Sequence, residues 1–405
     1  MRLGTCIALE IVAAVSAIGG LSLGTAYAVG ELRDQVGGPR SQAVAARTAP
    51  APAPVAARTA PAPAPVAPAP VAPPGPTLAI TPAIVPPAPE LAVAVDAGVA
   101  DAAPVAPALA AVEGAIWEFV GVSDHTLLDP IRTGKLTRVR FNRGGSTLSL
   151  RLEFDNGARA AFKPDQVILQ LPRREIAAYR LDRLLGVGRV PPAIGRSFTM
   201  AELEEALDPS QRGMAPRLRR EAVARKGRVH GEASWWIPVI KDIRIGGAKL
   251  DETDAIVTWR KWLRVGAAIP PDRLSLAQQL STMTLFDFLT DNIDRWSGNN
   301  AKSSEDGTVL YFMDNTMSFG RSPRGNHRTR TYLERCQVFS RRLVNRLRAV
   351  DEAAIRAVMA HDPGPYEEVL TSVEIEALLG RRTLALAYID GLIEKHGEEK
   401  VLVFP

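Results

Sequence analysis

The residues best suited to chemistry lie between Asp291 and Asn300 and again at Asp314. Short polar and charged residues crowd the first of these segments: Asp291, Asn292, Asp294, Arg295, Ser297, Gly298, Asn299 and Asn300. A compact domain would hardly keep such a loop without hydrogen-bond partners or a metal ion for those groups. Phosphoryl transfer requires such a set, because one Asp accepts the proton of the acceptor hydroxyl while a second Asp and an Asn hold the metal.

The spacing of these residues suggests their roles. Asp294 and Asn299 are separated as in the D-x-x-x-x-N catalytic loop of protein kinases, and Asp314 stands where the kinase metal-binding Asp would be. We therefore expect Asp294 as the general base, with Asp314 and Asn299 as metal ligands. The His-Arg-Asp and Asp-Phe-Gly tripeptides of kinases are absent. Taken singly, each residue could instead cap a helix or shape a turn.

A buried helix and a short strand are predicted on either side of this loop. Residues 285–289 are apolar almost all round, as in a helix enclosed by its domain. Residues 308–313 follow a Glu-Asp-Gly turn and are rich in β-branched and aromatic side chains. That pattern predicts a strand that returns Asp314 to the polar loop.

The segments upstream of the loop place two further charged residues. Alternating polar and apolar residues predict antiparallel strands over 139–162, and Lys163 ends the last of them. An amphipathic helix is predicted over 173–185, with Glu175 in its first turn, where the helix dipole favours a carboxylate. Lys163 could be merely solvated, and Glu175 could serve only as a cap.

Two other segments carry expectations about burial and structure. Residues 234–240 are predicted as a buried strand, with Trp235 and Trp236 in the core. Residues 321–330 are predicted as a basic, Gly-containing loop, which would suit an anion-facing segment but equally an exposed linker.

Taken in order, these motifs resemble the four-jointed and Golgi casein kinase family of secretory-pathway kinases, in a bacterial-like form. The resemblance rests on AAFKP at 160–164, EIAAYRLDRLL at 175–185, DFLTDNIDRWSGNN at 287–300 and LYFMDNTMSFG at 310–320. The chain departs from the family pattern at Asp291, where the family usually has Gly, and at Thr316. Neither change removes a predicted phosphate or metal ligand.

The resemblance implies a fold, a reaction and partners. It implies a two-lobed, protein-kinase-like α+β fold of the atypical secretory-kinase type, in which Lys163 binds the nucleotide and pairs with Glu175. The cofactors would be ATP with Mg²⁺ or Mn²⁺. The acceptor would be a hydroxyl, with protein Ser/Thr placed ahead of a glycan sugar. A hypothesis from another class is a pseudokinase, a non-catalytic module that binds a partner.

The N-terminal region predicts a link to a membrane. Residues 1–30 read as a signal peptide or a membrane anchor, since a long apolar stretch follows Arg2 and ends in Ala-Tyr-Ala. Residues 31–111 form a disordered Ala/Pro/Val-rich spacer in which VAARTAPAPAP occurs twice in tandem. Such a spacer reaches on the order of 200 Å at about 3.1 Å per residue. We expect a membrane-anchored or exported protein on the envelope or secretory side, with its orientation left open by the sparse flanking charge.

The remaining chain predicts two lobes and excludes several function classes. We expect an N-lobe over 112–240, which includes a basic insertion, and a C-lobe over 241–405. A net charge of +5 without a basic and aromatic surface argues against nucleic acid. Cys6 and Cys336 are the only cysteines, so the mature domain cannot form an internal disulfide. The five His residues are scattered, which argues against a His-based metal site.

Overall fold

The computed structural model describes residues 114–142, 147–167, 170–296 and 300–405. The predicted targeting segment, the spacer and Asn299 lie outside these described residues. Within the described ranges, no helix is both long enough and apolar enough to cross a membrane.

The first half of the described chain is built on an antiparallel sheet. Its strands are β1 Glu118–Phe119, β2 Val122–Ser123, β3 Leu136–Phe141, β4 Leu150–Phe154, β5 Arg159–Pro164, β6 Ala193–Thr199, β7 Ala224–Arg225 and β8 Arg228–Trp235. The helices between them are α1 Asp124–Thr133, α2 Arg173–Leu185, α3 Met200–Glu205 and α4 Ala215–Glu221. The sheet order is β3-β4-β5-β8-β6, with β7 paired to β8, and β1 and β2 form a separate hairpin. Strand β8 therefore lies directly beside β5, the strand that carries Lys163.

The alternation of side chains explains the central strands. In β4, Leu150, Leu152 and Phe154 are buried, while the residues between them are half-buried, as expected for a strand with one face on the core. At the hairpin between β4 and β5, Gly157 has φ +82°, a backbone conformation that residues with a side chain rarely adopt. The strands predicted between 139 and 162 are thus present, with Lys163 near the end of β5.

Two predicted segments end elsewhere than expected. The strand prediction for 234–240 is wrong beyond Trp235, since β8 stops there, and Val239 and Ile240 are 42 % and 41 % exposed. Pro238 lacks the N–H that a continued ladder would need. The loop prediction for 321–330 is wrong at its end, because Asn326 caps a helix there: its Oδ1 accepts a hydrogen bond from the Arg328 N–H.

The second half is mainly helical and surrounds one buried helix. Its helices are α5 Thr253–Trp262, α6 Leu274–Thr290, α7 His327–Leu333, α8 Arg341–Ala349, α9 Glu352–Ala360, α10 Ser372–His396 and α11 Glu398–Val401. Short strands complete it: β9 Lys241–Asp242, β10 Arg244–Ile245, β11 Ala248–Lys249, β12 Lys302–Ser303 and β13 Leu310–Tyr311. Helix α6 is buried over most of its last turns, as its apolar sequence predicts. The sheet β13-β12-β9 then brings the chain back to Asp314.

Helix α2 is fastened to the second half of the chain. Arg173 donates to both oxygens of Glu374 at 2.8 and 3.0 Å, and Arg174 donates to Glu374 at 2.7 Å. Farther along, Arg180 Nη1 donates to the Met359 carbonyl at 2.5 Å. Burial alone would raise the pKa of Glu374, but hydrogen bonds from Arg173, from a backbone N–H and from Arg174 lower it to about 2. The first turn of α2, which carries Glu175, is therefore held in place.

Candidate active site

Lys163 lies between two carboxylates. Its Nζ is 2.7 Å from Asp314 Oδ1 and 3.6 Å from Glu175 Oε2. Strand β5 delivers the lysine, helix α2 delivers the glutamate, and the chain after β13 delivers the aspartate. The predicted contact between Lys163 and Glu175 is present, but Asp314 is the nearer partner of the ammonium group.

The charges in this cluster reinforce one another. Burial alone would lower the pKa of Lys163, but the negative charges of Asp314, Glu175 and Glu232 raise it above its ordinary value. The positive charge of Lys163 is the largest influence on Asp314 and lowers the pKa of that carboxyl. Lys163 and Asp314 are therefore both charged at neutral pH, as an ion pair requires.

Asn315 fixes the position of Glu175 and was not among the predicted site residues. Its N–H donates to Glu175 Oε2 at 2.6 Å, and its Nδ2 donates to Glu175 Oε1 at 3.0 Å. Its own Oδ1 accepts from Asn292 Nδ2 and from Arg295 Nη2, each at 3.0 Å. One buried amide thus connects helix α2 to the loop that follows α6.

Asn292 connects the two predicted acidic residues. Its Nδ2 donates to the Asp314 carbonyl at 3.2 Å, and its Oδ1 accepts from the Asp294 N–H at 3.1 Å. The Asp294 side chain is held from the other side by Asn300, whose Nδ2 donates to Asp294 Oδ2 at 2.8 Å. The predicted base therefore has a defined position, while Asn299, the predicted second metal ligand, lies outside the described residues.

Arg295 supports this loop from within the core. It is fully buried and donates through Nε to both oxygens of Asp287, at 3.2 and 3.3 Å. It also donates to the carbonyls of Asn300 and Met313. Burial raises the pKa of Asp287 to about 6, against the opposing effect of the Arg295 charge. These bonds attach the loop to both α6 and the segment before Asp314.

A cavity of about 390 Å³ opens on Lys163, Glu175 and Asp314. Its wall combines polar residues with an apolar group: Trp235, Trp236, Ile237, Pro238 and Ile240. The prediction that Trp235 and Trp236 lie in the core is therefore wrong for Trp236, whereas Trp235 packs against the core with one side and lines the cavity with another. Both are half-buried and line the cavity, because strand β8 ends at Trp235. Apolar walls with a few convergent charges are typical of a site for a small molecule.

The carboxylates of this site fit a divalent cation. In the part of the chain that the structure describes, no three His, Cys, Asp or Glu side chains are grouped ready to hold a metal. However, the Lys163 ammonium already lies between Asp314 and Glu175, so a cation is accepted there. Carboxylate and amide oxygens are also the ligands that Mg²⁺ and Mn²⁺ prefer.

Glu232 is a second residue that the sequence reasoning missed. It lies on β8 directly opposite Lys163 in the β5–β8 pairing and is 1 % exposed. Its Oε2 accepts from Ser234 Oγ at 2.6 Å, whereas its Oε1 has no hydrogen-bond partner. Burial, followed by the charge of Glu175, raises the pKa of Glu232 to about 8. The alternation of His230, Glu232 and Ser234 along β8 was the available signal.

The chain is similar to a Golgi casein kinase family model and to several proteins named as kinases or pseudokinases. A family model described as "Golgi casein kinase, C-terminal, Fam20" matches residues 269–401. The glycosaminoglycan xylosylkinase of Danio rerio is 24% identical over 316 residues, 68% of this chain and 77% of that protein. The human extracellular serine/threonine protein kinase FAM20C is 23% identical over 326 residues, 69% of this chain and 56% of that protein. The mouse pseudokinase FAM20A is 24% identical over 308 residues, 64% of this chain and 56% of that protein.

Solved structures share the fold. The Golgi casein kinase with Mn/ADP bound superposes with a TM-score of 0.54 at 17% identity, covering 69% of this chain and 78% of that one. Hydra Fam20 with sugar gives a TM-score of 0.53 at 20% identity, covering 73% of this chain and 97% of that one. The predicted two-lobed, kinase-like α+β fold is confirmed.

Proposed function

We infer that this chain, which carries a Golgi casein kinase domain of the Fam20 family, transfers the γ-phosphate of ATP to a hydroxyl group. The observation that carries this function is the meeting of Lys163, Glu175 and Asp314 at one cavity, joined through Asn292 to Asp294. Phosphoryl transfer requires little covalent chemistry from the protein itself. Positioning and charge neutralisation are what such a site must supply.

Each residue of the cluster receives one role. ATP with Mg²⁺ or Mn²⁺ supplies the phosphoryl group and the positive charge that neutralises it. Asp314 is the principal metal ligand and Asn299 the second. Lys163 contacts the phosphates, and Glu175, fixed by Asn315, keeps the lysine aligned.

Asp294 accepts the proton of the acceptor hydroxyl. The Asn300 amide holds one carboxylate oxygen of Asp294 at 2.8 Å, so the direction of the group is set before the acceptor arrives. A base held in this way lowers the barrier by general base catalysis, provided that the hydroxyl comes within hydrogen-bond distance.

The acceptor that we place first is a Ser or Thr hydroxyl of a protein, and a glycan sugar hydroxyl is the alternative. FAM20C, by name a serine/threonine protein kinase, supports the first. The xylosylkinase, which matches over more of its own length, supports the second. Mass spectrometry of the products decides between them, and phosphate found on carbohydrate alone would reverse our order.

A non-catalytic module is the second candidate function, because one relative at similar identity is named a pseudokinase. Against it stand the acidic and basic residues of this chain. Lys163, Glu175, Asp294 and Asp314 are all present, and the ion pairs that join three of them are formed.

The reaction is tested by transfer of label from γ-labelled ATP with the full-length chain, first with Mg²⁺ and then with Mn²⁺. We expect Asp294→Asn and Asp314→Ala each to lower turnover by at least about 100-fold while the protein stays folded. Asp254→Asn, an exposed position on α5, is the matched control and should retain parental turnover. Nucleotide binding without turnover by the parent, with either metal, would favour the pseudokinase.

A further inference from the structure

Glu232 is a buried carboxylate that has no role in the proposed mechanism. Its Oε1 has no hydrogen-bond partner, although the residue is 1 % exposed. A buried polar atom without a partner costs free energy. We therefore expect such an atom, beside a binding cavity, to gain a hydrogen-bond partner in another state of the protein.

The strand pairing shows which group can reach it. Lys163 and Glu232 face each other across β5 and β8, and both line the same cavity. Side chains directly opposite in an antiparallel pair have Cβ atoms about 4.5–5.5 Å apart. The long side chain of Lys163 can therefore meet Glu232 without any movement of the backbone.

Binding of a metal would force Lys163 to change partners. The ammonium now lies 2.7 Å from Asp314 Oδ1, the atom expected to face a divalent cation. An ammonium group and a divalent cation that both contact this oxygen would repel each other, which costs free energy. Glu175 offers little to replace it, because both of its oxygens already accept hydrogen bonds from Asn315 at 2.6 and 3.0 Å. Glu232 Oε1 is the open acceptor.

We propose that Glu232 is a positioning residue: it forms an ion pair with the Lys163 ammonium when a divalent cation binds Asp314. This inference rests on the proposed function, since it presumes the metal role of Asp314. Without metal, Lys163 forms an ion pair with Asp314. With metal, the Lys163 ammonium moves beside Glu232 Oε1, where its positive charge favours the ionised carboxylate. Glu232 releases its proton to solvent as this ion pair forms, and Lys163 remains beside the phosphate site. Ser234 keeps the other oxygen of Glu232 in place, at 2.6 Å.

The test is a double-mutant cycle on Mn²⁺ affinity, measured without nucleotide by electron paramagnetic resonance on the full-length chain. Glu232→Gln leaves Lys163 on Asp314 as a competitor, so Mn²⁺ should bind about tenfold more weakly, as is typical when a residue that supports a metal site is lost. In a Lys163→Met background there is no competitor. The same Glu232→Gln change should then alter the affinity less than about twofold, because coupled residues lose their effect together.

Each outcome decides the question. Equal Mn²⁺ affinity of the parent and Glu232→Gln would overturn the proposal. A tenfold loss that persists in Lys163→Met would also overturn it, because Glu232 would then act on the metal directly. If the parent itself fails to bind Mn²⁺, the metal assignment of the proposed function fails, and the inference fails with it.

Two further variants control for folding. Glu153→Gln on β4 removes a carboxylate from the same sheet outside the cavity and should bind Mn²⁺ as the parent does. Glu232→Asp keeps the charge and should hold affinity within about threefold of the parent. A tenfold loss in Glu232→Asp, equal to that of Glu232→Gln, would count against a role based on charge.

Discussion

At the residue scale, Asn315 orients the carboxylate of Glu175. It donates twice to Glu175 and accepts from both Asn292 and Arg295. The carboxylate of Glu175 is thus oriented by a neutral group that adds no charge of its own. An aspartate of the same shape would keep the backbone donation to Glu175 Oε2 but lose the Nδ2 donation to Oε1, because a carboxylate has no donor.

We expect Asn315→Asp to damage the site while preserving its shape. The change places a carboxylate oxygen against Glu175 Oε1, where the Nδ2 donor now lies at 3.0 Å. Lost hydrogen bonding and like-charge repulsion should lower the free energy of unfolding by about 2 kcal/mol and lower turnover at least about tenfold.

Urea titration and label transfer measure the two effects of this change. The control is Asn345→Asp at an exposed position of α8. Unchanged stability and turnover in Asn315→Asp would show that the amide does not orient Glu175.

Some site residues were predictable from sequence because their chemistry restricts the residue type. Asp294 and Asp314 were found in this way, whereas Lys163 and Glu175 were identified through the family resemblance, and the structure pairs Lys163 with both Glu175 and Asp314. Their catalytic roles stay predictions. Glu232 was missed, because its relation to Lys163 arises only when β5 and β8 pair, across a long stretch of intervening chain.

At the scale of elements, helix α2 is the part on which the site depends most. It carries Glu175 in its first turn, and Glu374 of helix α10 forms ion pairs with Arg173 and Arg174, the first two residues of that turn. Because the folded-state pKa of Glu374 lies near 2, below its ordinary value of 4.5, the stabilisation is fully present above the ordinary pKa. It is lost as the pH falls through about 2.

We therefore expect Glu374→Gln to lower the free energy of unfolding at pH 7 by about 3 kcal/mol, since it leaves two half-buried guanidinium groups without their buried anion. Stability of the variant should also depend less on pH between about 5 and 2 than that of the parent. Thermal and urea unfolding across that range measure both effects. The matched control is Glu376→Gln, an exposed position of the same helix, and identical acid profiles for parent and Glu374→Gln would contradict the assignment.

The elements themselves were predicted unevenly, for a physical reason. Helix α2 begins and ends at the predicted residues, because its apolar stripe is regular and Gly186 takes the left-handed conformation that ends it. The segment 234–240 was misread as core. Apolar side chains that line a cavity, such as Trp236 and Ile237, have the same sequence signature as side chains that fill one.

At the scale of the whole molecule, the comparisons confirm the predicted Golgi casein kinase resemblance, the fold and the kinase class. The nucleotide and the divalent metal stay predictions for this chain. They do not choose the acceptor. Relatives that are named for different acceptors, a glycosaminoglycan xylosylkinase and a serine/threonine protein kinase, both match this chain. The two lobes at 112–240 and 241–405 and the N-terminal tether stay predictions.

We expect the domain on the envelope or secretory side, either held at a membrane by residues 1–30 through the spacer or exported after their cleavage, with its orientation left open by the sequence. Sealed, right-side-out vesicles that carry the full-length chain test this by protease accessibility. Cleavage in the Ala/Pro spacer without detergent, releasing a domain that still transfers phosphate, is the expected result. A chain that is cut only after the vesicles are opened would place the domain on the opposite side, where ATP is abundant.

The anchoring of α2 has a consequence for control of the enzyme. Arg173 and Arg174 bind Glu374, Arg180 binds the carbonyls of Met359 and Asp362, and Arg183 binds Asp124 at 2.7 Å. Outward movement of α2 that separates Glu175 from Lys163 would have to break these contacts, so we expect the pairing of Glu175 with Lys163 to persist when nucleotide and acceptor are absent.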